Sequence, residues 1–236
     1  ILFGDLGESF IYQQPVFELI TQHIPATLEL AFFSLMVAVI LSIPLGILSA
    51  LRKDTPLDYF TMIVALFGVA IPNFWLGPML ILTFSLKFGW LPVSGRGTWL
   101  HYILPAITIG TALASILSRM TRNSILDQLH ANHVYTARAR GLKEPVVILK
   151  HVLRNAATPL LTIISLQFGV LLTGAVITER IYDWPGLGYL TLEALHNRDY
   201  PVIQGCILTF ALTYLIINIV TDILYSVVDP RMNLDK

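Results

Sequence analysis

Five long apolar stretches constrain the fold of this chain more than any other feature of its sequence. A helix needs about 20 mostly apolar residues to cross a bilayer core of roughly 30 Å, and each stretch approaches or exceeds that length. The stretches run from about Ala26 to Leu51, Tyr59 to Leu86, Tyr102 to Leu117, Leu160 to Ile177 and Val202 to Val228. We therefore predict an all-α integral membrane protein, a polytopic helix bundle with five transmembrane helices in this chain.

Composition supports the membrane prediction and excludes several other classes. Hydrophobic residues make up 55% of the 236 residues and charged residues only 13%, whereas a soluble domain carries about 25% charged residues. The stretches lack the alternating pattern of about 10 residues that is typical of outer-membrane barrel strands. The only cysteine, Cys206, lies in an apolar run, so an intrachain disulfide framework is excluded and we expect this side chain in the core.

The positions of Lys and Arg predict the orientation of the chain in the membrane. Connections rich in these residues stay in the cytoplasm. Arg52 and Lys53 follow the first stretch, seven basic residues lie between the third and the fourth, and Arg231 and Lys236 follow the last. The N-terminus should therefore be extracytoplasmic and the C-terminus cytoplasmic.

This orientation predicts the organisation of the chain along its length. We predict an extracytoplasmic segment over residues 1–24, a transmembrane domain over 25–230 with a cytoplasmic loop at 119–158, and a cytoplasmic tail over 231–236. Because the chain then starts on the outer side, we expect a further transmembrane helix upstream of it.

The connection between Ser118 and Pro159 is about 40 residues long and has an internal pattern. Pro145 suits the first turn of a helix, and an apolar stripe at helical spacing follows it, formed by Val146, Leu149 and Leu153. Before it, residues 134–141 combine small side chains with two arginines and end at Gly141, which suits a left-handed helix end. Two interpretations stay open: a basic loop on anionic lipid, or two short helices that dock into a partner.

Four polar residues within the apolar stretches are candidates for lining a pathway, because polar groups inside a membrane usually face protein or water. They are Asn73, Gln167, Asn218 and Asp222. Asn218 and Asp222 can equally form a structural hydrogen-bonded pair. The Pro72-Asn73 break in the second stretch is either a hinge, a pathway-lining feature or a tolerated kink.

Three further positions have simpler interpretations. We expect Glu29 near the outer interface, bonded to a neighbouring helix end, and Gly169 at a close helix contact. His130 and His133 have helical spacing but no cysteine or carboxylate pair nearby, so we expect no metal site.

The short segment Tyr135-Thr136-Ala137, followed after three residues by Gly141, resembles the EAA-x-x-x-G loop of ABC-importer permeases. Further similar pieces occur in order along almost the whole chain: Gly4-Asp5-Leu6-Gly7-Glu8-Ser9, Pro25-Ala26-Thr27-Leu28-Glu29-Leu30, Leu104-Pro105-Ala106, Arg119-Met120-Thr121-Arg122, Leu153-Arg154-Asn155-Ala156, Asp183-Trp184-Pro185-Gly186-Leu187-Gly188 and Arg198-Asp199-Tyr200-Pro201. Together they resemble the dipeptide, oligopeptide and nickel branch (OppB/DppB-like). Two departures are Tyr-Thr in place of Glu-Ala at the start of the loop motif, and Arg154-Asn155 in place of Leu-Pro.

The resemblance implies a type I (MetI-like) importer permease of the bacterial inner membrane that moves short peptides or a related small solute. It implies ATPase coupling through Tyr135, Thr136, Ala137, Arg138, Ala139, Arg140 and Gly141. It also implies partners: a second homologous permease, two cytoplasmic ABC ATPases, an extracytoplasmic solute-binding protein and membrane lipid, but no nucleic acid. This chain lacks a GxxxxGK[ST] motif, so ATP and Mg should bind the ATPases, with no cofactor, metal or catalytic residue here.

The segment from Glu179 to Tyr200, acidic and aromatic, has two interpretations within this family. It either contacts the solute-binding protein, or its aromatic residues Tyr182, Trp184 and Tyr189 anchor at the level of the lipid headgroups.

A self-sufficient membrane protein, such as a secondary transporter, a channel or an intramembrane protease, is the competing class. Secondary transporters typically show internal repeats and charges at the membrane midplane. The sequence has no clear repeat, Asp222 is the only deep acid, and no paired catalytic residues occur in the stretches. The loop at residues 135–141 favours the importer permease, because a self-sufficient transporter does not need it.

Overall fold

The computed structural model describes the backbone of residues 6–228 and the side chains of residues 6–169, 171 and 175–223. Within this part the chain is helical apart from connections and one isolated bridge between Glu8 and Pro15. It divides into two compact units. The first comprises residues 6–36, 71–110 and 168–218, and the second comprises residues 37–70, 111–167 and 219–228.

The first apolar stretch forms α1, Val16–Leu51. The helix begins ten residues before the predicted stretch because Val16, Leu19 and Ile20 are buried in a core cluster. Their partners there come from two later helices and include Cys206, whose burial confirms the prediction for that residue. Part of the segment predicted as extracytoplasmic therefore continues α1, and packing rather than hydropathy sets where this helix starts.

The second stretch is broken rather than continuous. It forms α2, Pro56–Ala70, and α3, Asn73–Leu80, which continues as a π-helix over Ile81–Lys87. Pro72 is extended (φ −68°, ψ 142°), and a residue that precedes proline, here Ile71, is disfavoured in helical geometry. α2 therefore ends before Pro72 and α3 begins directly after it.

The third stretch forms α4, Leu100–Leu129, twelve residues longer than predicted at its end. The connection that follows is short and helical. Its elements are α5, Asn132–Ala139, and α6, Glu144–Val146, which continues through a π-helix at Val147–Val152 into α7, Leu153–Gly174. The predicted 40-residue loop is therefore largely made of helix ends, because Leu117 and Ile125 are buried and α4 keeps packing beyond its apolar part.

The chain continues through α8, Val176–Ile181, and α9, Leu187–Asn197, to the last helix α10, Tyr200–Val228. In the described part of the chain, four helices are long and apolar enough to cross a membrane, or five if α2 and α3 with its π-helix count as one broken span. The helical membrane architecture predicted from the sequence is confirmed. The predicted tail at 231–236 lies outside the described residues.

Candidate functional site

The helix α5 carries the predicted coupling residues and packs one face into the second unit. Val134 is fully buried and Ala137 is 4% exposed. They join a core cluster to which α1, α4, the second π-helix and α7 contribute Ala50, Ile125, Val147, Val152 and Ala156. A helix of eight residues is too short to be stable in water alone, so this contact holds α5 in place.

The opposite face of α5 is open. Tyr135 is 54% exposed, and Thr136, Arg138, Ala139 and Arg140 are also exposed. Ala137, predicted as part of a docking surface, instead faces the chain's own core, because it lies three residues after Val134 and therefore on the same side of the helix.

The end of α5 has the glycine geometry predicted from the sequence. Gly141 has φ +75°, its N–H donates to the Arg138 carbonyl (2.9 Å), and the Leu142 N–H donates to the Ala137 carbonyl (3.4 Å). This pair of bonds is the Schellman motif, which ends a helix on a left-handed residue. Arg138 also bonds Glu144 at 2.8 Å and 3.4 Å, an exposed ion pair that contributes little stability.

The apolar stripe predicted after Pro145 is not the face that packs into the core of this chain. Val146 and Leu149 are 42% and 61% exposed, while Val147 and Val152 are fully buried. The two buried residues are five positions apart, which matches the i→i+5 hydrogen bonding of the π-helix they occupy. The buried face of this segment therefore follows the π-helical spacing and not the α-helical spacing of the stripe.

Beside the α5 core lies an ion pair that the sequence did not reveal. Asp58, in the first turn of α2, is 1% exposed. Arg122 of α4 donates Nε–H to its Oδ1 at 2.8 Å and Nη2–H to its Oδ2 at 2.7 Å. The Ser49 hydroxyl of α1 also donates to Oδ1, so one carboxylate joins three helices.

The four pathway candidates fall in both units. Asn73, partly buried, begins α3, and Asn218 donates its Nδ2–H to the Tyr214 carbonyl one turn back in α10 (3.0 Å), both in the first unit. Gln167 is partly buried in α7 and Asp222 is exposed in α10, both in the second unit. Their common role in a pathway stays a prediction.

The predicted bond of Glu29 to a neighbouring helix end and the predicted close contact at Gly169 are both confirmed in the first unit, whereas the position of Glu29 at the outer interface stays a prediction. Glu29 binds Arg96 through two bonds (2.6 Å and 3.0 Å) and accepts the Tyr102 hydroxyl at the start of α4 (2.7 Å). Gly169 makes a close contact, because a Cβ there would lie 2.9 Å from the Tyr214 ring.

Several acidic and aromatic residues of the segment from Glu179 to Tyr200 are buried inside the first unit. Glu179 is fully buried and accepts the Thr27 hydroxyl at 2.8 Å and the Tyr189 N–H at 2.9 Å. Trp184, also fully buried, donates Nε1–H to the Ala26 carbonyl at 2.8 Å. Tyr182 is 2% exposed, and burial raises its pKa to about 12. Anchoring of Tyr182 and Trp184 at the headgroups is therefore wrong.

The exposed surface near this segment includes an N-terminal turn. Ser9 donates its hydroxyl to Asp199 at 2.5 Å, and Tyr12 donates to Glu193 at 2.7 Å. Burial and the Glu193 carboxylate raise the pKa of Tyr12 to about 12. Large side chains exposed here are Phe10, Ile11, Leu195 and Tyr200, each 52–68% exposed.

Among the described residues, no group of three or more His, Cys, Asp or Glu side chains is arranged to hold a metal ion. His133 instead lies 3.1 Å from the Asn155 amide and 3.2 Å from the His151 carbonyl oxygen.

Long apolar helices with a broken second span, together with a short packed helix between α4 and α7, define a helical membrane protein. The fold is similar to a chain of an inward-facing MetNI methionine ABC transporter, with a TM-score of 0.77 and 17% identity over 90% of this chain and 97% of that one. A chain from an amino acid ABC transporter solved with histidines gives a TM-score of 0.65 at 14% identity over 88% and 93% of the two chains.

Sequence comparison gives the family. Residues 42–234 match the family described as "binding-protein-dependent transport system inner membrane component". The glutathione transport system permease protein GsiC of Pectobacterium atrosepticum is 44% identical over 98% of this chain and 76% of its own length. GsiC of Escherichia coli K12 is 43% identical over 97% and 75%. This chain therefore belongs to that family, as an ABC-importer permease of the peptide and nickel branch, embedded in the inner membrane of bacteria.

Membership of this family indicates the molecular function of the chain. Its members are transport permeases, and in ABC importers the ATPase is a separate subunit. The resemblance read from the motifs is thereby confirmed, and the competing class of self-sufficient membrane proteins is excluded.

Proposed function

We propose that this chain forms half of the translocation pathway of an ATP-driven importer and that α5 couples it to a cytoplasmic ATPase subunit. The observation that carries the coupling proposal is the division of α5 into two faces. Val134 and Ala137 pack against the helices of the second unit, whereas Tyr135, Thr136 and Arg140 face outward. A contact on the outer face that differs between two states of the ATPase therefore shifts the helices packed beneath.

The proposed solute is a short peptide of the size of glutathione. The GsiC relatives, at 43–44% identity over nearly the whole chain, are glutathione transport permeases. Asn73, Gln167, Asn218 and Asp222 are the proposed polar lining of the pathway. In this proposal the extracytoplasmic binding protein selects the solute, so the permease lining can be permissive.

The proposed assembly contains this chain, a second homologous permease, two ABC ATPases that bind ATP and Mg, and an extracytoplasmic binding protein. Burial of Glu179 and Trp184 removes them from any docking surface. We propose that the binding protein instead contacts the exposed side chains of the N-terminal turn, of the end of α9 and of the start of α10, namely Phe10, Ile11, Leu195 and Tyr200.

Retention of the ATPase in mild detergent tests the coupling proposal. The full subunit is co-expressed with its ATPases, its second permease and its binding protein, and the complex is isolated through a tag on this chain. Arg140→Glu reverses a charge on the outer face of α5 without touching its core. It should weaken ATPase retention at least about tenfold, because an unpaired charge at an interface costs several kcal/mol.

Lys150→Glu is the matched control, since Lys150 is also exposed and basic but lies outside α5. It should retain the ATPase as the unaltered chain does. Equal retention by Arg140→Glu and the unaltered chain would contradict docking at α5.

A further inference from the structure

The buried carboxylate of Asp58 is a junction of three helices in the second unit. It accepts two bonds from Arg122 of α4, one from the Ser49 hydroxyl of α1 and one from the Asp54 N–H at 3.0 Å. The Arg122 side chain is 15% exposed and the Asp58 side chain 1%. Nearly all acceptor positions of the carboxylate are therefore in use within the chain.

This junction shares two helices with the core under α5. Ser49 precedes Ala50 in α1, and Arg122 lies one turn before Ile125 in α4. Ala50 and Ile125 are both members of the core cluster that contains Val134 and Ala137 of α5. Two helices, α1 and α4, therefore carry both the core under α5 and the ion pair.

Stability alone does not account for a buried ion pair, because apolar residues of similar volume often serve as well. A two-point Arg–carboxylate contact differs from apolar packing in fixing orientation as well as distance. Here it fixes the first turn of α2 against α4, while Ser49 and the Asp54 N–H fix the α1–α2 connection to the same carboxylate.

We propose that Asp58 and Arg122 are positioning residues for transport, which make the ends of α1, α2 and α4 move together when α5 is displaced. The inference rests on the proposed coupling role of α5. Without the pair, α5 still docks on the ATPase. Its displacement, however, no longer moves the ends of α1, α2 and α4 together. ATP is then hydrolysed with less solute moved.

The ratio of solute moved to ATP hydrolysed tests this proposal, because loss of folded protein lowers both quantities together and leaves the ratio unchanged. The whole complex is reconstituted in vesicles with its binding protein, and uptake of radiolabelled glutathione and phosphate release are measured in the same sample. Asp58→Asn and Arg122→Gln should each lower the ratio about tenfold, a change equivalent to roughly 1.4 kcal/mol of coupling. The double variant should be no worse than the poorer single variant, because the two residues act as one unit.

Arg119→Gln is the matched control: it removes the same charge from an exposed position three residues earlier on α4 and should leave the ratio unchanged. Stimulation of ATP hydrolysis by the binding protein is a second readout that does not depend on the solute. It should fall to about the basal rate in both single variants. Arg122→Lys keeps the charge but loses the two-point contact, and its ratio should lie between those of the unaltered chain and Arg122→Gln.

Unchanged ratios in the single variants, or additive losses in the double variant, would overturn the proposal. If the single variants fail to assemble, Arg122→Lys decides: a normal ratio in that variant overturns the proposal, and a lowered ratio supports it. Failure of the proposed function looks different, since the unaltered complex would then lack the ATPase or Arg140→Glu would retain it. An unaltered complex that couples but takes up no glutathione contradicts only the proposed solute.

Discussion

The carboxylate of Glu179 organises the connection between α8 and α9 from inside the first unit. It accepts one bond from α1, through Thr27, and one from α9, through the Tyr189 N–H. Removal from water disfavours its charged form more than these bonds favour it, so the pKa of Glu179 is raised above its ordinary value. The buried carboxyl group of Glu179 thereby joins α8 to α1 and α9.

The raised pKa predicts a pH dependence of stability with a definite sign. Over the interval between the ordinary pKa and the raised one, the folded protein holds a proton at Glu179 that the unfolded chain has lost. Stability from this group therefore falls as pH rises through that interval and is constant above it. Glu179→Gln does not titrate, so the thermal midpoint of the unaltered protein should decline relative to this variant as pH rises above the ordinary glutamate pKa of about 4, as measured by tryptophan fluorescence in detergent.

Glu18→Gln provides the control for this measurement, because Glu18 is exposed in the first turn of α1. The difference in thermal midpoint between Glu18→Gln and the unaltered protein should vary less with pH than the difference for Glu179→Gln. If the difference in thermal midpoint for Glu179→Gln stays constant as pH rises, the result would argue against a buried carboxyl group with a raised pKa.

The helix α5, which we propose as the docking element, obtains its defined end from Gly141. At φ +75° a β-branched residue is strained by about 1–2 kcal/mol, whereas glycine is not. Apart from the glycine itself and its two chain neighbours, no heavy atom of the described residues lies within 4 Å of the Cβ position of Gly141, so the backbone conformation, and not crowding, sets the cost of a side chain here.

Gly141→Val should therefore uncouple ATP hydrolysis from transport while leaving membrane insertion intact. The strained end changes the direction in which the chain leaves α5. A strain energy of this size corresponds to a several-fold effect, so the ratio of solute moved to ATP hydrolysed should fall several-fold. Gly141→Asn is the matched control, since asparagine tolerates left-handed geometry better than valine does, and it should stay close to the unaltered ratio. Equal ratios in the Val and Asn variants would remove the argument from the left-handed end.

The elements differ in how far the sequence could predict them. The end of α5 could be predicted because glycine has a local conformational preference. The buried face after Pro145 could not, because apolar residues fill most positions from 146 to 153 and only the π-helical spacing of Val147 and Val152 selects among them. The Asp58–Arg122 pair joins residues 64 positions apart, and one sequence carries no signal for such a pairing.

At the scale of the whole molecule, composition and the five apolar stretches were sufficient to predict a helical membrane bundle. They were insufficient for the start of α1, which packing of Leu19 and Ile20 extends. The class of transporter was predicted instead from the family-specific motifs. Their residues and their order along the chain carry information that hydropathy does not contain.

The orientation of the chain is the remaining prediction at this scale, and it decides which surfaces the ATPase and the binding protein can reach. Tyr135 on α5 and Leu195 on α9 are almost equally exposed, at 54% and 53%. In a Cys206→Ser background, Leu195→Cys should react with a membrane-impermeant maleimide in intact spheroplasts, whereas Tyr135→Cys should react only in inside-out vesicles. The physical reason is that the seven basic residues between positions 119 and 154 keep that side of the membrane cytoplasmic. Labelling of Tyr135→Cys in intact spheroplasts would invert the topology and place α5 out of reach of a cytoplasmic ATPase.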